Sequence, residues 1–448
     1  MTARLKRWPL LIGMVYVLVW LFLARANGQT NLTSGTVPPN VTTRVSLPTK
    51  LTRLTWLGGN ELSTYFGTGA YMALTKTLPI GWARGTMGYD STNSDTFAWR
   101  CVQHASSNDW DWSRADALMA YAATNFPGVK LVISEQWGCR AYTNAANWPG
   151  DQYPITDDPA WACALTPNQY ILAKAAFINA LAARYRNSIW GIEIENEPVL
   201  DSYGISRHIG ILSNVQPARA YTKIIGYTFQ GPWPGPLTNL CRLGFTNLAD
   251  AVSFHLYNHR TSPPDQSLGW NGVSNQYDYH GPLNGWMAFL RSKVGAMPIL
   301  VDEIGLYPEV PMRMAKVLII LRAYDAALCQ LQVWSYGSPP GDGAAFNLSG
   351  APFPHAAVSA WTAQWLGNST ITSIVTKGNA SVYTSGSGSS QRAFAWCFEG
   401  QTRAWTPTGY TSYTDIYGQP VSTNQLTDAV MVLNGPGTQT FPRARLNQ

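Results

Sequence analysis

From about Leu54 to Leu366, short apolar runs alternate with segments in which apolar residues recur every three or four positions. A period near two marks strands and a period near 3.6 marks helices, so the alternation predicts parallel strands joined by crossover helices. The runs place strands at Leu54–Leu57, Ile80–Arg84, Val129–Ser134, Trp190–Glu195, Ile224–Thr228, Ala251–His255, Ile299–Asp302 and Leu331–Trp334. Eight such units predict an α/β fold of the (β/α)8 TIM-barrel type, with chemistry at the C-terminal strand ends. A doubly wound open sheet is the rival, but no G-x-G-x-x-G or Walker pattern follows an early strand.

The helices carry their own start signals. Thr166-Pro167-Asn168-Gln169 has the form of a capping box with proline at the first helical position, followed by Ile171, Ala175, Ile178, Ala182 and Tyr185 on one face. Asp111 is placed to cap a helix bearing Trp112, Ala115, Met119 and Ala122. Further helices are expected over Tyr65–Thr77, Leu237–Leu248, Leu283–Val294, Pro311–Ala327 and Ala356–Leu366, and one within Leu212–Lys223 that Pro217 interrupts. Beyond Thr370 the chain turns to short Thr-, Ser-, Tyr- and Val-rich runs separated by Gly, Ser and Asn turns. This predicts a barrel over residues 54–370 and a small C-terminal β-sandwich over residues 371–448, with residues 27–53 as an extended lead-in.

The N-terminus adds a compartment. Met1–Arg7 is basic, Trp8–Leu23 is almost wholly apolar, and Ala24-Arg25-Ala26 presents small residues for cleavage before Asn27, which reads residues 1–26 as a signal peptide. Left uncleaved, the same run would be a type II anchor, the one way this chain would meet a membrane. A secreted or surface location accommodates the six cysteines, of which Cys139 and Cys163 are near enough in sequence to clip one loop, and the N-glycosylation tripeptides from Asn31 onward.

Composition narrows the classes. At 46% hydrophobic residues the chain is not disordered. The formal charge of +6 includes four basic residues in the first 26 positions, and removing them leaves about +2, so no basic field points to nucleic acid. The 19 Trp and 22 Tyr against 14 Phe are flat rings with a polar edge, suited to stacking on sugar faces.

Two strand ends carry acids. Trp190-Gly191-Ile192-Glu193-Ile194-Glu195-Asn196-Glu197-Pro198 places Asn196 and Glu197 at the mouth after the fourth strand, and Ile299-Leu300-Val301-Asp302-Glu303-Ile304-Gly305 places Glu303 after the seventh. In a closed eight-strand barrel these ends face one another, and a close pair of carboxyls is what retaining glycosidases use as nucleophile and general acid/base. No metal-ligand spacing links His104, His255, His259 and His280 beyond the lone pair 255 and 259, and no G-x-S-x-G elbow occurs, so neither a metal nor another cofactor is expected.

These two motifs resemble those of the clan A glycoside hydrolases over about Leu54–Thr370. The resemblance implies a (β/α)8 barrel, an oligo- or polysaccharide substrate, Glu197 as acid/base, Glu303 as nucleophile and Asn196 as donor to a sugar 2-hydroxyl. It further implies that Arg84 holds the nucleophile ionised, that His255 and Tyr257 form the mouth's imidazole and aromatic pair, and that Trp334 stacks on sugar. Asp415–Pro420 is similar to the β-sandwich of the family 39 xylosidases. Glu135 and Trp137, at the end of the third strand, are candidate sugar contacts, and the long loops Gly85–Trp110 and Gln136–Leu165 are candidate cleft walls, with Trp99, Trp110, Trp112, Trp137 and Trp148 as candidate subsite rings. A non-catalytic carbohydrate-binding protein and a transglycosylase are the alternatives that the same residues allow.

Overall fold

A computed structural model of the chain describes residues 53–60, 80–86, 97–134, 158–198, 202–229, 231–257, 263–266, 268, 279, 281–305, 310–331 and 354–440. Within them β1 (Leu57–Asn60), β2 (Trp82–Thr86), β3 (Lys130–Ser134), β4 (Gly191–Glu193), β5 (Lys223–Phe229), β6 (Ala251–Leu256), β7 (Ile299–Ile304) and β8 (Ala326–Leu331) form a closed parallel barrel. β8 pairs with β1 to close it. Among the described residues no helix is long and apolar enough to cross a membrane. The Trp8–Leu23 segment and the expected Tyr65–Thr77 helix lie outside them.

The barrel interior is layered. Trp82, Val132, Ile225, Ala251, Leu300 and Leu328 form a buried apolar cluster at the level where the strands begin, with Trp190 packed against it. Its fit is tight: a Cβ on Gly191 would stand 2.9 Å from Cδ1 of Ile225, so any side chain at this position of β4 would require that isoleucine to shift. Two residues further along the same strands, where the pleat again points inward, stand Arg84, Ser134, Glu193, Ser253 and Asp302, all fully buried.

Strict alternation fails in β5, between Gly226 and Thr228, and again in β7. Both ladders of β7 slip, at Phe254/His255 against β6 and between Val301 and Ile304 against β8. An extra residue in a strand turns two neighbours toward the same side, and here Asp302 and Glu303 both reach Arg84, at 3.8 and 2.6 Å.

Element boundaries differ from the sequence expectation in instructive ways. The expected helix over Pro311–Ala327 ends at Ala323, because Asp325 adopts φ 53° in a turn and Ala326-Ala327 open β8. Alanine's helical preference is overridden there by pairing with β7, and the strand expected at Leu331–Trp334 accordingly lies earlier. The helix expected within Leu212–Lys223 is instead Ser202–Asn214, and Pro217 falls in a following 3-10 turn, Gln216–Ala220. Leu237–Leu248 divides into Pro234–Arg242 and Phe245–Leu248 at Gly244, whose φ of 87° ends the first helix. Asp111 does not occupy the N-cap, which is Trp112, although its carboxylate accepts the Ser113 N–H at 2.9 Å. The Thr166/Gln169 capping box forms, and its helix runs Pro167–Arg184.

The C-terminal residues build a five-stranded antiparallel sheet in the order Ser412–Asp415, Met431–Asn434, Arg392–Cys397, Ala380–Ser385, Ile371–Lys377, beside two short two-stranded ladders. One face, with Val382, Ala393, Ala395, Met431 and Leu433, packs on Trp405, Tyr410 and Leu426. The other meets the barrel: Trp396 donates to Asp265 at 2.8 Å, Lys316 of the Pro311–Ala323 helix lies 3.4 Å from the same carboxylate, and Arg313 pairs with Glu399 at 2.7 Å. The Asp415–Pro420 turn is tied in as well, since Asp415 Oδ1 accepts N–H groups of Tyr417 and Gln419 while Trp365 donates to the Ile416 carbonyl.

Of the cysteines, Cys163 is disulfide-bonded, whereas Cys101, Cys241, Cys329 and Cys397 form no disulfide. Cys139 lies outside the described residues.

Candidate active site

Arg84 is the centre of the barrel mouth. It ends β2 with no exposed surface, and its guanidinium grips Glu193 through Nε (3.0 Å) and Nη2 (2.7 Å). Nη2 also donates to Ser134 Oγ (2.9 Å) and to Asn196 Oδ1 (2.8 Å), while Nη1 donates to Glu303 Oε1 (2.6 Å). Because a guanidinium only donates, the Asn196 amide must present its oxygen to Arg84, leaving nitrogen as the end turned away from it.

Glu193 is thoroughly satisfied, accepting from Thr228 and from Ser134 (3.1 Å) in addition to Arg84. Burial alone would push its carboxyl up, but the Arg84 charge and these hydrogen bonds outweigh burial and hold it at about 2. Asp302 is its opposite. Burial, reinforced by the negative charge of Glu193, pushes Asp302 well above the usual carboxylate range and so favours its protonated form.

The outer tier holds the expected pair. Tyr257 donates to Glu303 Oε2, and burial together with the Glu303 charge raises the phenol well above its usual range, so it remains a donor. Burial opposes ionisation of Glu303, yet His255, Arg84 and the Tyr257 hydroxyl together bring its pKa below the ordinary value. Glu197 is met by His255 instead, with Nδ1 at 2.5 Å from Oε1, and the same nitrogen lies 3.4 Å from Glu303 Oε2. Burial disfavours a charged His255, but Glu303 and Glu197 more than compensate and its pKa lies above the usual imidazole value. Oxygens of Glu197 and Glu303 and a nitrogen of His255 all lie within 4.8 Å of one another.

How Glu197 gets there is a matter of backbone. β4 ends at Glu193, two residues earlier than the expected Trp190–Glu195 strand, and Glu195 and Glu197 take left-handed conformations with φ of 59° and 47°. Such φ values are uncommon for residues with a side chain and cluster at functional sites. Glu195 thereby leaves the barrel interior for a buried network: Arg207 at 2.7 Å, His208 at 3.0 Å, and beyond them Lys174 paired with Asp158 at 2.6 Å, which also accepts from Tyr170. Burial would raise Glu195, but Arg207 and His208 hold it at about 2.

The carboxylates with His255 form two triplets compact enough to ligate a cation, Glu193/His255/Asp302 and Glu197/His255/Glu303. Arg84 already stands within 2.6–3.8 Å of Glu193, Asp302 and Glu303, so the cation this cluster requires is a guanidinium.

Arg84, Asn196, Glu197, His255, Tyr257 and Glu303 are thus brought to one mouth. Trp334, Glu135 and Trp137 lie outside the described residues, as does Trp148. Trp99 is not a subsite ring: it is fully buried and stacked on Phe177 of the Pro167–Arg184 helix at 5.6 Å, with Trp110 and Trp112 stacked on each other at 5.4 Å beside it. Trp99 is therefore committed to packing against that helix, whereas Trp110 remains 39% exposed. The sequence reading missed the polar tier beneath the mouth, Glu193, Asp302, Ser134, Thr228 and Ser253. The signal was present as acids at inward parity in strands that also supply an inward arginine.

No protein-family model matches the chain, and no curated protein does. Solved structures do. A family 39 glycoside hydrolase from the gut symbiont Bacteroides cellulosilyticus is similar with a TM-score of 0.63 at 15% identity, over 87% of this chain and 83% of that one. A glycoside hydrolase family 30 subfamily 8 xylanase from Clostridium acetobutylicum follows at TM-score 0.52 and 10% identity, over 86% and 97% of the two chains. SrfJ from Salmonella typhimurium gives 0.51 at 12% identity, over 86% and 90%. At these identities the likeness establishes the fold: a (β/α)8 barrel with C-terminal antiparallel sheets, shared with glycoside hydrolases as the clan A resemblance implied.

Proposed function

We propose that the chain is a retaining glycoside hydrolase acting on β-linked glycans. The observation that carries this reading is the unequal treatment of two facing glutamates whose oxygens lie within 4.8 Å. Glu303 is gripped by a guanidinium and a phenol, which favour a permanent carboxylate. Among the described residues Glu197 has only His255, a partner able to serve either protonation state. Retaining enzymes need such a division at a separation of about 5–5.5 Å, whereas inverting enzymes leave about 6.5–9.5 Å for a water.

In the first step Glu303 attacks the anomeric carbon, the glycosidic C–O bond breaks, and the departing oxygen takes the proton of Glu197. In the second, a water gives its proton to Glu197 as its oxygen displaces Glu303, restoring both carboxyl groups. Asn196, held by Arg84, supplies a donor beside the nucleophile. One of the similar structures is a xylanase, so xylan and aryl β-xylosides head the substrate panel. We further propose export through cleavage before Asn27.

The test is a hydrolysis screen of the chain expressed with its own leader in a secreting host, against β-linked polysaccharides and aryl β-glycosides, with Glu197→Ala and Glu303→Ala alongside. Reducing sugar from the wild type alone is expected; equal release by all three proteins would refute the assignment. The N-terminal residue of the secreted product tests the cleavage.

A further inference from the structure

Beneath the two glutamates lies a contact that the hydrolytic steps above do not use. His255 spends Nδ1 on Glu197, while its Nε2 points down the barrel toward Asp302, 3.7 Å from Oδ1. Nε2 is buried and makes no hydrogen bond, and Asp302, whose two oxygens are also buried, has the Glu193 carboxylate as its other hydrogen-bonding neighbour once it is protonated. Unpaired buried polar atoms are costly, about 1–3 kcal/mol for each group left unsatisfied, and here Nε2 faces Oδ1 about half an ångström to one ångström beyond hydrogen-bond distance. The surroundings are closed and charged: Arg84 from β2, Glu193 from β4, Glu303 from β7, Tyr257 beyond β6 and Glu197 above, with the neutral hydroxyls of Ser134, Thr228 and Ser253 around Glu193.

We infer that Asp302 is the buried end of a proton-sharing chain, Glu197–His255–Asp302, which lets Glu197 change protonation state without leaving an uncompensated charge in the mouth. The inference rests on the acid/base reading of Glu197. When Glu197 gives its proton to the departing oxygen, the Asp302 hydroxyl proton moves to His255 Nε2, and the resulting imidazolium presents Nδ1–H to the new Glu197 carboxylate. When the attacking water protonates Glu197, the Nε2 proton returns to Asp302. One proton crosses one gap in each direction, and no co-reactant is needed. Asp302 is a positioning residue in this scheme, since it acts only through His255. The raised proton affinities of Asp302 and His255 agree with a proton held between them.

The experiment follows the imidazole directly and needs no substrate. The full chain is labelled with 15N-histidine, the His255 signal is identified by its loss in His255→Gln, and its titration is compared in wild type and Asp302→Asn. Asparagine matches aspartic acid in size and is uncharged, so it preserves a merely space-filling role but cannot ionise. The expected result is a fall of about tenfold or more in His255 proton affinity; an unchanged titration overturns the inference. Should Asp302→Asn fail to fold, infrared difference spectra of the wild type give the second reading. Loss of a buried carboxylic-acid band in step with His255 protonation supports the chain, and a band indifferent to it overturns it. Wild-type protein that hydrolyses no glycoside while His255 responds as stated would refute the hydrolase reading and leave the proton chain standing.

Discussion

Two layers of the barrel interior stand two residues apart on the same strands and could hardly differ more. Trp82, Val132, Ala251 and Leu300 are replaced one pleat higher by Arg84, Ser134, Ser253 and Asp302. The lower layer is held by apolar burial, each side chain contributing roughly 1.5–3 kcal/mol. The upper layer buries an arginine with two acids and sets a third above them, and desolvation makes such a cluster a poor source of net stability. A fold that needed only to persist would repeat the lower layer. That the upper one is charged, and that a register slip in β7 brings Glu303 to the same arginine, marks it as the tier where chemistry is organised.

Substitutions at the two levels should separate stability from activity, beginning with the largest effect. Glu303→Gln should lower turnover by on the order of 10⁴-fold or more while leaving the unfolding midpoint near that of wild type; initial rates and thermal unfolding on one preparation decide this, and a loss of less than tenfold would rule out a nucleophile. Glu197→Gln should cost about 10²–10⁴-fold on glycosides with poor leaving groups and much less on dinitrophenyl glycosides, whose departure needs little proton donation. Equal losses across leaving groups would contradict an acid role.

Arg84→Met crosses the comparison, because it belongs to the mouth by function and to the core by burial. Removing the guanidinium leaves Glu193 as an uncompensated buried charge, so a stability loss of about 3–5 kcal/mol in urea unfolding is expected together with loss of activity. Leu300→Ala in the lower layer should cost about 2–5 kcal/mol of stability with kcat of the folded protein retained. Should kcat fall as far as in Arg84→Met, the two layers would not be separable.

Acid should dismantle the polar tier before the apolar one. Glu193 and Glu195 are depressed from 4.5 to about 2 in the folded protein, so their stabilising contribution is complete above about pH 4.5 and is lost as pH falls from there toward 2. The unfolding temperature should drop across that window, and less steeply in Glu195→Gln; the same slope in both proteins would contradict the assignment of Glu195 to the buried network.

Much of this was legible in the chain. Short apolar stretches located β4, β6 and β7, that of β7 ending in Asp302 and Glu303, and the strand-end position of Glu197 and Glu303 followed from the barrel. What escaped detection came from interactions that cross the sequence. β8 was placed too late because Ala326 and Ala327 read as helix until β7 pairs with them. Glu193 and Glu195 stood in the sequence only as acidic neighbours of Glu197 on one strand, whereas Arg84, more than a hundred residues before, pulls the first inward. A left-handed turn sends the second outward to Arg207. The tryptophans of the Gly85–Trp110 loop suggested sugar stacking until Phe177 supplied the surface on which Trp99 packs. Period and propensity report local preference, and each miss lies where a distant partner overrides it.

The division of labour between Glu303 and Glu197 is tested most directly by trapping. A 2,4-dinitrophenyl 2-deoxy-2-fluoro-β-glycoside of the sugar found active in the screen should glycosylate the enzyme stoichiometrically with release of dinitrophenolate, and peptide mass spectrometry should find the sugar on the peptide carrying Glu303. Attachment to the Glu197 peptide, or turnover with no covalent sugar at all, would contradict the account.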